Sequence, residues 1–315
     1  MSLVACGGGD DVITPTGAHY HYVVNKAFVP TNNNESREYG LDLNGDGTPD
    51  NQLGMVLGTL AGMGFDIQAT IDTAVLEGSI SLLADIQTAD ATFMSSSATG
   101  MSVFIGSNPQ PAACNSGEAV TCTTTKPAVC TGCGRQLNPT GGMFTSGTNT
   151  NMALAGKIIG GTFNGGPGDL TIQIALGGTT AIDLNLIGAR AKASGMTADA
   201  ITGVVFAGAL SQDDINTKVI PAVVTQLAPT IARDCTMLTA PPGCGCADGS
   251  TGKTIIGLFD APPGDCMITA AEVMNNSLIM SLLAPDVTIN GTKALSLGIK
   301  VTAEKATFTV AGETM

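Results

Sequence analysis

Asp169-Leu-Thr-Ile-Gln-Ile-Ala-Leu176 and Ala181-Ile-Asp-Leu-Asn-Leu-Ile187 stand on either side of a Gly-Gly pair at 177–178. In the second run Ile182, Leu184 and Leu186 share one face and Asp183 and Asn185 the other, the alternation of a half-buried strand. Two such runs around a glycine turn read as antiparallel neighbours. Working outward, residues 152–159 precede them across a glycine-rich stretch at 160–168, and residues 201–210 follow as a further strand. Val103-Phe-Ile105 is another. Gly17-Ala-His-Tyr-His-Tyr-Val-Val24 also alternates, with His19 and His21 on one face and Tyr20 and Tyr22 on the other. Ile67, Ala69 and Ile71, then Ile80 and Leu82 after a break at Glu77-Gly78, read as two strands or one bent hairpin.

Helices are fewer. Residues 51–62 place apolar side chains at 53, 56, 57 and 60, but three glycines there point to close packing against a sheet. Ser211-Gln-Asp-Asp214 is an N-cap with an acidic first turn. The helix behind it carries Ile215, Val219, Val223, Leu227 and Ile231, with Pro221 and Pro229 expected to kink or interrupt it. Another helix is expected over 270–283. The fold class is therefore a β-rich α+β arrangement, a mainly antiparallel twisted sheet with a few short helices and disulfide-rich loops.

Composition narrows the function. The 315 residues suffice for one large or two ordinary domains, and 43% hydrophobic content supports a core. Only 12% of residues are charged, against roughly 25% in a typical soluble domain. The net charge of −13 leaves no basic footprint for a nucleic-acid backbone and no polybasic surface for anionic lipid, so no nucleic-acid partner is expected. Apolar runs such as 201–210 fall short of the ~18–20 residues of a membrane span.

Tyr39-Gly-Leu-Asp-Leu-Asn-Gly-Asp-Gly-Thr-Pro-Asp50 spaces Asp42, Asn44, Asp46 and Asp50 so that short oxygen-bearing side chains face a common centre. Gly47 allows the turn that brings the Thr48 carbonyl to join them, a donor set suited to a hard cation. The stretch resembles the D-x-[DN]-x-D-G-x-x-D calcium loops of EF-hand, dockerin and thrombospondin type 3 repeats, although Leu53 stands where an EF-hand has its bidentate glutamate. The resemblance implies Ca²⁺ held by Asp42, Asn44, Asp46, Thr48 and Asp50. The same residues also read as a solvated Asx-rich turn. A weaker second loop runs from Phe259 to Glu272, with Asp260, Asp265 and Glu272 as candidate ligands. There Pro262 and Pro263 occupy ligand positions and Cys266 replaces the glycine. The order of acidic loop, short Leu-rich helix and strands at 42–90 recurs at 260–310, which suggests two equivalent units closing one sheet.

Leu3-Val-Ala-Cys6 followed by Gly-Gly-Gly-Asp-Asp resembles the lipobox of bacterial lipoproteins, without the upstream basic and apolar segments. The resemblance implies lipidation at Cys6, a membrane anchor, and location in the cell envelope, at the outer membrane or surface. The other eight cysteines form two groups, Cys114, Cys122, Cys130 and Cys133, then Cys235, Cys244, Cys246 and Cys266. In an exported chain two disulfides within each group is the simplest arrangement. Zinc is the rival, since Cys130-Thr-Gly-Cys133 and Cys244-Gly-Cys246 have ligand-pair spacings. The expected division is a lipidated tether or linker over 1–38 and a single β-rich domain over 39–315, with a Cys-rich insertion at about 107–151.

Catalytic signals are sparse. A His-x-His pair can bind zinc or copper, but no cysteine or carboxylate nearby has ligand spacing, and these are the chain's two histidines. A Ser-His-Asp or Cys-His site would need that segment to fold over the sheet. Gly252-Lys253-Thr254 imitates the end of a phosphate loop, but Ala247 replaces the required glycine. The expected function is a calcium-stabilised, disulfide-bonded surface lipoprotein with a structural or binding role and a protein partner. The alternative is a carrier of a lipid or other hydrophobic small molecule in a β-rich cavity.

Overall fold

A computed structural model describes residues 12–62, 67–115, 117–124, 129–148, 151–174, 181–239, 242–260 and 264–310. The Gly-Gly turn at 177–178 and the lipobox with Cys6 lie outside the described residues. The strands are β1 (Ala18–Phe28), β2 (Leu82–Thr88), β3 (Ser95–Gln110), β4 (Gly142–Ser146), β5 (Leu154–Ile159) and β6 (Thr162–Ile174). They continue with β7 (Ile182–Met196), β8 (Ala200–Leu210), β9 (Cys235–Thr239), β10 (Pro242–Cys246), β11 (Val287–Ile289) and β12 (Thr292–Thr307).

Strands β1, β2, β3, β5, β6, β7, β8 and β12 pair antiparallel in that order, and β12 pairs back onto β1. The result is an eight-stranded up-and-down barrel in which closure removes the edges. Short β4 lies beside β3 and runs parallel to the end of β12. Strands β9 and β10 form a separate hairpin, and β11 folds onto the start of β12.

The alternation read from 182–187 sorts inside from outside. Ile172 pairs with Leu184 and Leu170 with Leu186, and all four are buried. Tyr22, Ile86, Met101, Phe163 and Phe206 are also buried, and the lumen is packed by side chains rather than open. The partners one residue along, Gln173, Asp183, Asn185 and Lys192, are partly or fully exposed. Apolar inside and polar outside is the reverse of a barrel that sits in lipid. No helix among the described residues is long and apolar enough to cross a membrane.

The helices are α1 (Asn33–Glu38), α2 (Gln52–Gly62), α3 (Ile67–Leu76), α4 (Gln212–Asp214), α5 (Ile220–Asp234), α6 (Thr251–Phe259), α7 (Ala270–Asn275) and α8 (Ser277–Leu282). Helices α1 to α3 lie between β1 and β2, and α4 to α8 between β8 and β11, so the helices belong to two long connections. Both connections leave the same end of the barrel. Ser211 caps α4 by accepting the Asp214 N–H at 3.1 Å. A π-helical turn, Ile215–Val219, then leads into α5. Pro221 therefore sits in the first turn of α5, where a missing N–H is tolerated, and Pro229 lies inside a helix that continues to Asp234.

Three expectations are corrected. Residues 67–76 form helix α3, not a strand, because burying Ile67, Ile71, Ala74 and Val75 follows helical spacing. That face lies over the barrel mouth beside Val24, Ala27 and Leu82. The boundary at residue 38 falls inside the folded unit. Strand β1 is a stave of the barrel, and residues 30–38 contain α1, capped by Asn32, whose buried Ser36 donates to the Asn51 carbonyl at 2.9 Å. The two acidic-loop units meet but are not equivalent. Strands β2 and β12 flank β1, and α2 contacts α8, yet the first loop covers the outside of β8 while the second is tied to β10.

Candidate functional site

The two helical connections enclose an apolar cavity of about 120 Å³ over one end of the barrel. Leu53, Val56 and Leu57 of α2 face Val223 and Leu227 of α5, with Ile255 of α6 and Ile279 of α8 completing the wall. Each of these four helices presents one apolar stripe, and four short stripes cannot interdigitate as fully as two long ones. Polar side chains lie among the lining at Gln226, Thr251, Thr254 and Asn276. Asn276 caps α8 by accepting from the Leu278 and Ile279 N–H groups, and its Nδ2 donates to the Leu258 carbonyl at 2.7 Å. A smaller void of about 40 Å³ sits beneath, at the barrel mouth, between Val24, Leu82, Ile174 and Leu297. The lumen of the sheet, where a cavity is expected from the sequence, is filled by side chains, and the apolar cavity lies in the helical cap instead.

The first acidic loop turns its side chains onto its own backbone. Asp42 accepts from the Gly45 and Gly47 N–H groups at 2.6 and 2.9 Å, Asn44 from Asp46, Asp46 from Thr48, and Asp50 from Leu43 at 2.8 Å. Gly45 and Gly47 take φ of 84° and 86°, the left-handed region that glycine alone adopts freely. The Gly47 N–H above all holds the Asp42 carboxyl below its usual range, whereas burial pushes that of Asp50 up despite its bond from Leu43. Leu43 anchors the loop against Ala207, Ala209 and Ile289 on the outer barrel face. The donor set is all oxygen, as calcium requires. The loop's three carboxylates are not gathered within 4.8 Å of one another.

The second loop is put to other uses. Asp260 accepts from Asp265 and Cys266 N–H, Asp265 accepts from Met267, and Glu272 closes a capping box with Thr269 at the start of α7. Pro262 and Pro263 lie outside the described residues. Gly252-Lys253-Thr254 opens α6, but the Gly252 N–H donates to Asp234 Oδ2 at 2.9 Å, so a carboxylate stands where a phosphate would.

No family model, no curated protein and no solved structure matches this chain, so its own residues carry the functional argument.

The eight cysteines pair as Cys114–Cys133, Cys122–Cys130, Cys235–Cys246 and Cys244–Cys266, two bridges within each group. Neither ligand-spaced pair is bonded to itself, and the thiols that zinc would need are consumed. Four disulfides mark an oxidising, extracytoplasmic compartment. Fully buried Gln136 docks the insertion onto the end of α3 by donating to the Val75 and Leu76 carbonyls at 3.2 and 3.3 Å. Arg135 pairs with Glu118 inside the insertion.

One grouping escaped the sequence reading. Strand pairing sets His21 directly opposite Asp85, with His19 two residues along on the same face. His19 Nδ1 lies 2.9 Å from Asp85 Oδ2, and His21 Nε2 lies 3.7 Å from Oδ1. The missing signal was register, since 64 residues separate His21 from Asp85 and nothing local announces their pairing.

Proposed function

We propose that this protein is an extracytoplasmic binding protein that takes an apolar ligand in the helical cap of its barrel. The carrying observation is the cavity between α2, α5, α6 and α8, whose lining is almost wholly hydrocarbon. A dry apolar cavity of ~150 Å³ is large enough to bind benzene, so the ligand is a single ring or a short stretch of acyl chain. The acidic surface and the disulfides suit a stable scaffold in the cell envelope. The fuller reading adds a Cys6 lipid anchor and a structural calcium ion in the loop of Asp42, Asn44, Asp46, Thr48 and Asp50. It is supported by the all-oxygen donor set of that loop.

The chain has no tryptophan, so indole fluorescence reports its own environment without background. Titrating the full chain with indole should give a saturable blue shift, and Val223→Phe, which fills the cavity, should weaken it at least tenfold. Mass spectrometry of a solvent extract of the purified protein should recover an apolar small molecule. A linear, non-saturating indole response together with an empty extract would refute the reading.

A further inference from the structure

We propose that His19, His21 and Asp85 form a binding site for a first-row transition metal ion, with zinc as the reference ion, on the outer face of the barrel between β1 and β2. The site is separate from the helical cap and rests on different residues.

The geometry carries the assignment. Three ligand atoms, one from each side chain, lie within 4.8 Å of one another. For bonds of about 2.0–2.1 Å, a tetrahedral zinc site separates its donor atoms by about 3.3 Å. A single carboxylate oxygen, Asp85 Oδ1, lies 3.1 Å from His19 Nδ1 and 3.7 Å from His21 Nε2, and the two separations bracket that edge. Two imidazoles and one carboxylate are a sufficient protein set for zinc, leaving a fourth position for water or an added ligand. The pleat does the placing. Positions 19 and 21 share a face, and the ladder puts Asp85 across from one and diagonal to the other.

The surroundings suit a bound cation. The Asp85 side chain is 6% exposed, and a carboxylate so deeply placed is stabilised by a positive partner. The ring of Phe308 stacks on His21 with centroids 4.2 Å apart and planes at 22°, which fixes the imidazole plane. Phe104 backs Phe308 at 5.9 Å and keeps that side dry. His19 is the most open of the three, with a quarter of its side chain exposed, and gives an ion its route in. Both histidines of the chain converge here. The other ligand-rich grouping among the described residues, Cys235, Cys244 and Cys246, is locked in disulfides.

A simple hydrogen bond from His19 to Asp85 would also hold the strands, so the test must read metal directly. The full chain, disulfides intact, is stripped with chelator, dialysed against Zn²⁺ and assayed for metal content. Co²⁺ is added separately for its ligand-field spectrum. One zinc per chain and a tetrahedral or five-coordinate cobalt spectrum are expected. His19→Gln and Asp85→Asn should each weaken zinc binding at least tenfold, while Asp46→Ala in the acidic loop leaves it unchanged. Near-ultraviolet circular dichroism checks the fold. If Asp85→Asn does not fold, His19→Gln, at a partly exposed position, decides the question alone. Zinc uptake equal in wild type and in the His19→Gln/His21→Gln double variant would overturn the assignment, as would loss of zinc in Asp46→Ala alone.

Discussion

Asn51 and Gly298 exchange a pair of hydrogen bonds across 247 residues of chain, the Gly298 N–H donating to Asn51 Oδ1 at 2.8 Å and Asn51 Nδ2 donating to the Gly298 carbonyl at 3.0 Å. The same amide accepts the Gly54 N–H, capping α2, and donates to the Ser36 carbonyl. One buried side chain thus uses all four of its hydrogen-bonding positions to join α1, α2 and β12. Gly298 also lets the Tyr39–Gly40 backbone pass close to β12, because a Cβ there would collide with the Tyr39 carbonyl.

Asn51→Ala should therefore destabilise strongly. It strands two N–H and two carbonyl groups, and at ~1–3 kcal/mol for each group that stays buried and unpaired, a loss of about 3–5 kcal/mol is expected. Denaturant unfolding with the disulfides intact measures it. A loss below about 1 kcal/mol would mean that water replaces the amide.

Calcium should raise the melting temperature, and excess chelator should reverse the rise. At a free calcium level of 100 times Kd the stabilisation is about 2.7 kcal/mol. Asp46→Ala should melt at the same temperature with and without the ion. Identical wild-type melts in calcium and chelator would leave the Asp42–Asp50 stretch as a turn held by its own Asx bonds.

Acid should release the β2–β3 turn through Asp90. Its carboxylate accepts from the Thr92 hydroxyl, the Ser95 and Thr92 N–H groups and the Met94 N–H, with the Thr92 hydroxyl as the largest influence, and its pKa is lowered to about 2. A depressed carboxylate contributes its stability above the unfolded value of about 3.8 and loses it as pH falls towards about 2. The unfolding midpoint of Asp90→Asn should therefore approach that of wild type as pH drops from about 4 to 2, whereas parallel curves would deny Asp90 this role.

The two disulfide groups should separate stability from binding. Bridges that close spans of 8 to 22 residues are each worth about 2.5–3.5 kcal/mol in the chain-entropy account. Replacing Cys122 and Cys130 by serine should lower stability and leave indole binding unchanged. Replacing Cys244 and Cys266 should lower both, since that bridge holds β10 to the approach of α7, which borders the cavity through Val273.

Much of the barrel was legible because its staves are half-buried. Leu184 and Leu186 alternate with Asp183 and Asn185, and residues 200–210 form β8 where a strand was expected. The cysteine groups were legible too, since each closes locally. Residues 67–76 were misread because Ile67, Ala69 and Ile71 satisfy a period of two as readily as Ile67, Ile71 and Ala74 satisfy 3.6, and packing over the barrel mouth decided between them. Neither the cavity nor the His19–His21–Asp85 group could be read locally. The first is assembled from part of the face of each of several helices, and the second from a strand register that no stretch of sequence carries alone.

The pairing of Tyr22 with Lys305 joins the first stave to the last across 283 positions. The barrel is therefore a ring of strands with a single nick, and the start of β1 lies beside the end of β12. Until β12 has left the ribosome or the export channel, β1 and β8 each wait with an open edge, so closure comes last and must join segments far apart in the chain. The same adjacency makes the chain a candidate for circular permutation. A short peptide bridging residues 307 and 18, with new ends cut at the Gly160–Gly161 turn, should preserve every strand pairing while changing which one must form last.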